Sequence, residues 1–147
     1  IISADVIIVG PGSLYSRILP NFLLTPILKA YYQSNAIKIY ISNLMNQPNE
    51  IKEYRLSKYL KILSNYYLKF DYVLFNNTYI KEEKIKKYIE KDKYYRVIEN
   101  DLDLINIINA DLINEEEDLI RHDPIKVANI IIDLIEKVNI IKGRISN

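Results

Sequence analysis

The sequence predicts an α/β fold, in which a mostly parallel sheet carries helices on its faces. Short apolar runs rich in β-branched residues are typical of strands buried on both sides, and residues 4–9 form the first such run. Longer segments between these runs place their apolar residues at helical spacing, so that each segment has one apolar face. Strand-like and helix-like segments alternate along the chain, which indicates βαβ units and therefore parallel strands.

The first two units are predicted from their residues in order. Residues 4–9 form a strand that ends at Gly10, and residues 22–32 form a helix because their apolar side chains recur every three or four positions. The second unit repeats this arrangement, with a strand at 38–44 and a helix at 54–67. The loops that follow both strands are expected at one edge of the sheet, where such folds bind ligands.

The rest of the chain is predicted to continue the alternation. Residues 72–75 form a third strand, residues 81–91 a charged helix with an apolar seam, and residues 94–98 a fourth strand. A fifth strand is expected within residues 106–113. Pro124 then opens a closing helix, since proline is favoured in a first helical turn. The predicted buried side of this helix consists of Val127, Ile131, Leu134, Ile135 and Val138.

Composition restricts the class of protein. The 147 residues are 49% hydrophobic and 27% charged, as expected of one folded domain, which we take to span residues 1–147. Twenty basic and nineteen acidic residues leave a net charge of +1, which argues against a nucleic-acid-binding protein. The sequence contains no cysteine, no signal peptide and no apolar run long enough to span a bilayer, so a cytoplasmic protein is expected.

The loop after the first predicted strand is the strongest candidate site in the sequence. Gly10 and Gly12 allow a sharp turn and a close approach of the backbone to a ligand. Ser13 offers a hydroxyl where backbone N–H groups converge ahead of a helix, which suits a phosphate, and Arg17 adds a positive charge. A Gly-x-Gly turn is also common as a simple tight turn, and neither a Walker A loop nor a complete dinucleotide motif is present. Phosphate binding and a purely structural turn therefore both stay open.

Three segments resemble one known family. Residues 4–24, Ala-Asp-Val-Ile-Ile-Val-Gly-Pro-Gly-Ser-Leu-Tyr-Ser-Arg-Ile-Leu-Pro-Asn-Phe-Leu-Leu, closely resemble the signature of the gluconeogenesis factors (YvcK-like). Residues 43–50, Asn-Leu-Met-Asn-Gln-Pro-Asn-Glu, are similar to that family's Asn-x-Met-Thr-Gln-Pro-Gly-Glu motif, and residues 119–124 resemble its Arg-His-Asp motif. The related 2-phospholactate transferases (CofD-like) share the Gly-Pro-x core less closely. The three matches occur in order and extend over nearly the whole chain.

The resemblance implies a fold and a role. It implies a Rossmann-like, three-layer α/β/α arrangement that is the C-terminal part of a larger CofD-like fold. The family's Gly-Gly-Gly-Thr-Gly loop and Asp-Asp-Gly-Gly-Ser-Ser-Gly segment, which belong to its N-terminal half, do not occur in this sequence. It also implies binding of a UDP-sugar, in particular UDP-N-acetylglucosamine, and support of growth and cell shape on gluconeogenic carbon sources without a firmly assigned reaction.

The resemblance also implies roles for individual residues. Those expected to face the nucleotide diphosphate are Gly10, Pro11, Gly12 and Ser13. Those expected to line the neighbouring loop are Asn43, Gln47 and Pro48. Arg121 is expected to reach toward the nucleotide sugar, and arginine suits a diphosphate. Asn43 and Gln47 could equally well serve only as loop caps.

Other residues near these motifs have simpler interpretations. Asp123 is expected to cap the closing helix, since an aspartate followed by proline is a favoured helix start. His122 is the only histidine, so the sequence excludes a histidine-cluster metal site, and no metal ligand is assigned. Lys58 and Tyr59 stand where the family often has an Asp-His pair, which argues against acid–base catalysis.

Three functions are compared. The first is a non-catalytic sugar-nucleotide-binding regulator, and the second is a CofD-like transferase that moves a phospholactyl-type group to a flavin-like alcohol. The third is a truncated copy without function. NAD and a divalent metal are left open as cofactors in addition to the UDP-sugar. A half sheet exposes apolar faces and an unpaired strand edge, so a homo-oligomer, most simply a dimer, is also expected.

Overall fold

The computed structural model describes residues 1–145. The strands of this part of the chain are β1 (Val6–Val9), β2 (Ile37–Ile41), β3 (Tyr72–Asn76) and β4 (Ile107–Ala110). Its α-helices are α1 (Leu19–Phe22), α2 (Thr25–Gln33), α3 (Leu56–Asn65), α4 (Glu82–Ile89) and α5 (Pro124–Ile145). A five-residue π-helical turn, Leu14–Ile18, precedes α1.

The four strands form one parallel sheet in the order β1-β2-β3-β4. Ile8 lies opposite Ile39, which itself lies opposite Tyr72 on the next strand. Sequential strands are therefore neighbours, and all of their carboxyl ends meet at the same edge of the sheet. This confirms the predicted α/β class with a parallel sheet.

Helices cover both faces of the sheet. On one face, Tyr31 of α2 and the apolar side of α3 pack on buried strand residues such as Val73. On the other face, Ile131 and Leu134 of α5 pack on Ile39. All residues of the predicted buried side of α5 belong to this second core. This confirms the prediction of a closing helix with these apolar residues on its buried side. The result is a three-layer α/β/α arrangement, as predicted.

A third apolar cluster lies beyond the carboxyl ends of the strands. Its buried members are Leu44, Met45, Ile80, Ile113 and Ile120. Partly buried residues of α4 and of the segment after it pack against this cluster, so α4 lies over the end of the sheet.

The prediction of a sheet strand at residues 94–98 is wrong. Val97 forms only an isolated antiparallel bridge with Met45, and Glu99 an isolated bridge with Arg55. The segment is rich in aromatic and β-branched residues because it crosses the end of the sheet, where Tyr95 and Val97 pack against the third apolar cluster, rather than because it joins the sheet. The segment 106–113 instead supplies the fourth strand, which is shorter than predicted.

The predicted helix 22–32 is divided in the structure. Leu24 has an extended backbone between α1 and α2, and the chain resumes as a helix at Thr25 with Pro26 in its first turn. Proline lacks the N–H that a continuous helix needs, so it favours a new helix start at this point. None of the helices in residues 1–145 has the length and apolar character required to cross a lipid bilayer.

Candidate functional site

The first loop turns sharply against the neighbouring strand at Gly10. This residue has a φ of +85°, and a Cβ atom built there would lie 2.7 Å from the carbonyl oxygen of Ile41. The left-handed backbone and the close approach both require glycine. The glycine therefore allows β1 to pass directly into a loop that lies on the end of β2.

Gly12 and Asn43 connect the loops that follow the first two strands. The Gly12 N–H donates to Asn43 Oδ1 at 2.8 Å, and Asn43 Nδ2 donates to the Gly12 carbonyl at 2.9 Å. Asn43 follows β2 closely, so its side chain reaches the loop of the adjacent parallel strand. The amide satisfies both backbone groups of Gly12 in the way that a strand partner would.

Ser13 makes the second connection between these loops. Its hydroxyl donates to Glu50 Oε1 and also contacts the Ser16 hydroxyl, while the Ser16 N–H donates to Ser13 Oγ at 3.2 Å. Ser13 is buried and caps the π-helical turn. The loop 43–50 is thus tied to the first loop at both of its ends.

Asn46 holds the rest of the second loop in place. It is 1% exposed; its Nδ2 donates to the carbonyls of Ile51, Lys52 and Tyr94, and its Oδ1 accepts from the Arg96 N–H at 2.7 Å. These bonds place the segment after α4 against the loop. Sequence reasoning assigns no role to Asn46, and only its burial shows that its amide serves the fold.

The tied loops border an open cavity of about 500 Å³ at the carboxyl edge of the sheet. Its wall consists of Pro11, Gly12, Asn43, Leu44, Met45, Asn46, Gln47, Pro48, Asn49, Glu50, Tyr88, Tyr95, Ile120 and His122. The size falls within the range of small-molecule sites. The location is the one predicted for a parallel sheet, since ligands of such folds bind beyond the carboxyl ends of the strands.

Two tyrosines that sequence reasoning did not single out form one wall of the cavity. The rings of Tyr88, on α4, and Tyr95 meet edge to face with centroids 5.5 Å apart. The Tyr88 hydroxyl accepts from the Ile120 N–H at 3.2 Å, which fixes that ring. Their position after β3, whose carboxyl end faces the same edge, was the signal that could have identified them.

His122 enters the cavity from the segment before α5. Its Nε2 lies 3.1 Å from the carbonyl oxygen of Ser42, so this nitrogen carries the proton and donates. Burial lowers the pKa of His122 below its usual 6.5, and the hydrogen bond to Ser42 opposes this shift only in part. The imidazole is therefore neutral at pH 7 and presents Nδ1 as an acceptor.

The structure brings most of the predicted site residues together. Those that line the cavity are Pro11, Gly12, Asn43, Gln47 and Pro48. Gly10 and Arg17 instead line an apolar groove beside β1. Arg121 lies outside the cavity on the surface, where its Nε is 3.2 Å from Glu117 Oε2. Both of its chain neighbours, Ile120 and His122, line the cavity.

Asp123 lies at the start of α5 and acts on the helix rather than on the cavity. Its Oδ1 accepts from the Ile125 N–H at 2.8 Å and from the Lys126 N–H at 3.1 Å. These are the bonds of an N-cap carboxylate. Within residues 1–145, the structure has no group of three or more His, Asp or Glu side chains placed to hold a metal ion.

Comparisons with known proteins identify similar sequences and structures. Residues 1–116 match the family model described as 2-phospho-L-lactate transferase CofD. The chain is 34% identical over 143 residues to the gluconeogenesis factor of Bacillus subtilis, with 91% of this chain and 44% of that protein covered. It is 35% identical over 135 residues to the gluconeogenesis factor of Halalkalibacterium halodurans, with 88% and 42% covered.

A solved structure extends the similarity to the fold. The crystal structure of a Bacillus halodurans protein superimposes with a TM-score of 0.79 at 31% sequence identity, covering 89% of this chain and 44% of that one. The chain thus spans less than half the length of the relatives it matches.

Proposed function

Because the chain belongs to the 2-phospho-L-lactate transferase CofD family, within which it is similar to the gluconeogenesis factors, we propose that it binds a sugar nucleotide as a non-catalytic regulator. The proposed ligand is a UDP-sugar, UDP-N-acetylglucosamine in particular. The proposed cellular role is that of a cytoplasmic gluconeogenesis factor, which supports growth and cell shape on gluconeogenic carbon sources.

One observation carries the proposal of a binding site. The side chain of Asn43 joins the loop after β2 to Gly12 in the loop after β1, and the cavity of about 500 Å³ opens beside this junction. A ligand site of an open α/β sheet is expected at this place. The wall combines apolar and aromatic side chains with a few polar groups, which is the usual composition of a small-molecule site.

Arg121 is the proposed partner of the diphosphate. The residues on either side of it line the cavity, while its own side chain is exposed outside the cavity wall and paired with Glu117. An exposed ion pair contributes little free energy, so a diphosphate could replace Glu117 at little cost. Arginine is also suited to bidentate contact with phosphate oxygens.

Self-association through β1 is a further part of the proposal. β1 is an edge strand in the described sheet, and Ile8 on it is 48% exposed. An apolar groove of about 380 Å³ runs beside it, with Ile18, Phe22 and Ile27 in its wall. Unprotected apolar strand edges favour pairing with another chain. Light scattering of the full-length protein should give the mass of a dimer, and a monomer would remove this part of the proposal.

Calorimetric titration of the full-length protein with UDP-N-acetylglucosamine tests the binding function, with GDP and NAD as control ligands. We expect selective binding of the UDP-sugar without turnover. Arg121→Ala should weaken that binding about tenfold, as expected for loss of a hydrogen bond to a charged group, whereas Arg55→Ala, which removes an exposed arginine outside the cavity wall, should not. A preference for GDP would favour a transferase, and absence of any nucleotide binding would overturn the proposal.

A further inference from the structure

The charged groups in the wall of the cavity do not suit a diphosphate. None of the described residues that line it is a lysine or an arginine, and one of them, Glu50, carries a carboxylate. A carboxylate repels phosphate oxygens, and no cation in the wall offsets this repulsion. We infer that the cavity holds the uncharged glycosyl group of the sugar nucleotide, with the diphosphate outside it at the rim; this inference rests on the proposed function.

The backbone of the first loop supports this placement. The Gly12 N–H, the group expected to approach a phosphate, already donates to Asn43. The Ser13 hydroxyl donates to Glu50, so it is not directed at a ligand in the cavity. At the start of the helical turn that follows, the Ser16 N–H donates to Ser13 Oγ at 3.2 Å and the Arg17 N–H donates to the Ser13 carbonyl, so these N–H groups are also paired. The first loop therefore serves to position Glu50 and Asn43 rather than to hold an anion.

The remaining polar groups of the wall match the hydroxyl and amide groups of a sugar. Gln47 is partly exposed and its amide forms no side-chain hydrogen bond within residues 1–145. Glu50 uses Oε1 to accept from Ser13, which leaves Oε2 available to a ligand hydroxyl. His122 offers Nδ1 as an acceptor. Sugar hydroxyls both donate and accept, so a carboxylate, an amide and a neutral imidazole can pair with them.

The aromatic wall provides the apolar part of such a site. Tyr88 and Tyr95 lie edge to face, and the hydrogen bond from the Ile120 N–H holds the Tyr88 ring in a defined orientation. A rigid aromatic wall next to a few directed polar groups suits a ring that has an apolar face and a polar rim.

Titrations of the full-length protein with UDP and with UDP-N-acetylglucosamine test the inference. Wild type is compared with Glu50→Gln, with Gln47→Ala and with Glu53→Gln, an exposed carboxylate of the same region that does not line the cavity. We expect Gln47→Ala to weaken UDP-N-acetylglucosamine binding about tenfold, as for loss of a hydrogen bond. Glu50→Gln should weaken it by a similar factor, because a neutral hydrogen bond replaces a stronger, charge-assisted one. Both variants should keep the wild-type affinity for UDP, and Glu53→Gln should match wild type for both ligands.

Other outcomes overturn the inference in distinguishable ways. If Glu50→Gln tightens the binding of both ligands, the carboxylate faces the phosphates and the assignment of the cavity is wrong. Equal losses of affinity for UDP and the UDP-sugar in Gln47→Ala would place the uridine, not the sugar, in the cavity. If wild type binds neither ligand, the proposed function fails, and the inference fails with it.

Discussion

Gly12 and Asn43 exchange two hydrogen bonds, at 2.8 Å and 2.9 Å, although they are 31 residues apart in the chain. The pair joins the loops that follow the first two strands and so shapes the cavity. Because Asn43 is almost fully buried, its partners have little access to water if the side chain is lost.

The first prediction concerns this pair. Asn43→Ala should lower the free energy of unfolding by about 2 kcal/mol, because it leaves both backbone groups of Gly12 without their partner. Urea denaturation followed by circular dichroism measures the change. Asn49→Ala is the matched control, since Asn49 is exposed in the same loop, and it should change the stability by less than about 0.5 kcal/mol. Equal effects of the two substitutions would show that the paired bonds do not stabilise the fold.

The two glycines of the first loop should respond differently to substitution. Gly10→Ala should destabilise the protein by about 2–4 kcal/mol, because the methyl group would meet the Ile41 carbonyl and the φ of +85° disfavours alanine. Gly12→Ala should keep or slightly raise the stability, since a Cβ there would be 3.9 Å from its nearest neighbour, Arg17 Cβ. Thermal unfolding of the two variants tests this, and a larger loss in Gly12→Ala would contradict the described turn.

The buried His122 should make the free energy of unfolding depend on pH. Burial lowers the pKa of His122 in the folded protein below the usual 6.5, so the unfolded chain binds this proton more readily. The contribution of His122 to the free energy of unfolding is therefore complete well above pH 6.5. It is lost as the pH falls below that value toward the pKa of His122 in the folded protein. The free energy of unfolding changes through this one group by at most about 1.4 kcal/mol per pH unit.

His122→Gln keeps a donor for the Ser42 carbonyl and removes the titration. Urea denaturation between pH 8 and pH 5 should give a steeper loss of stability for wild type than for this variant. The difference isolates His122 from the carboxyl groups, which titrate in both proteins. Parallel curves would mean that the imidazole is not held neutral.

Tyr40 carries a hydroxyl that the fold does not satisfy. The side chain is 0% exposed, and its oxygen has no hydrogen-bond partner among the described residues. Burial, with a smaller effect from Tyr59, raises the pKa of Tyr40, so the hydroxyl stays neutral. Tyr40→Phe should therefore raise the free energy of unfolding by about 1 kcal/mol, because it removes the cost of burying an unpaired polar group.

Tyr31→Phe is the matched control for Tyr40→Phe. The Tyr31 hydroxyl donates to the Lys69 carbonyl, so its removal should lower the stability by about 1 kcal/mol. Chemical denaturation measures the free energy of unfolding of the two single variants, which should rise in Tyr40→Phe and fall in Tyr31→Phe. A loss of stability in both would indicate that Tyr40 has a partner, such as a bound water.

The elements that were predictable are those whose residues carry a local periodicity. The apolar runs at 4–9 and 72–75 correspond to β1 and β3, and the apolar stripe after Pro124 corresponds to α5. Residues 94–98 show the limit of this reasoning. Their aromatic and β-branched residues are typical of a strand, but an extended segment that crosses the end of a sheet needs them too, since Tyr95 and Val97 pack there against the third apolar cluster.

The candidate site was predictable in position but not in detail. The loop containing Gly12 and the loop containing Asn43 follow neighbouring strands, so a parallel sheet must bring them to one edge. The position of Tyr88 and Tyr95 after β3 pointed to the same edge, but with thirteen tyrosines in the chain this signal alone did not single out the two that line the cavity. Arg121 carries the charge expected of a site residue, yet its side chain is exposed outside the cavity wall and pairs with Glu117.

By itself the sequence determined the parallel α/β class and the edge of the sheet at which the loops meet, because both follow from local periodicity and from the geometry of parallel strands. The tertiary structure alone decided which polar groups remain free for a ligand. The Gly12 N–H and the Ser13 hydroxyl are already paired with Asn43 and Glu50, whereas Gln47 is not. Such pairings join residues distant in the chain, and each donor can serve only one of its competing acceptors well.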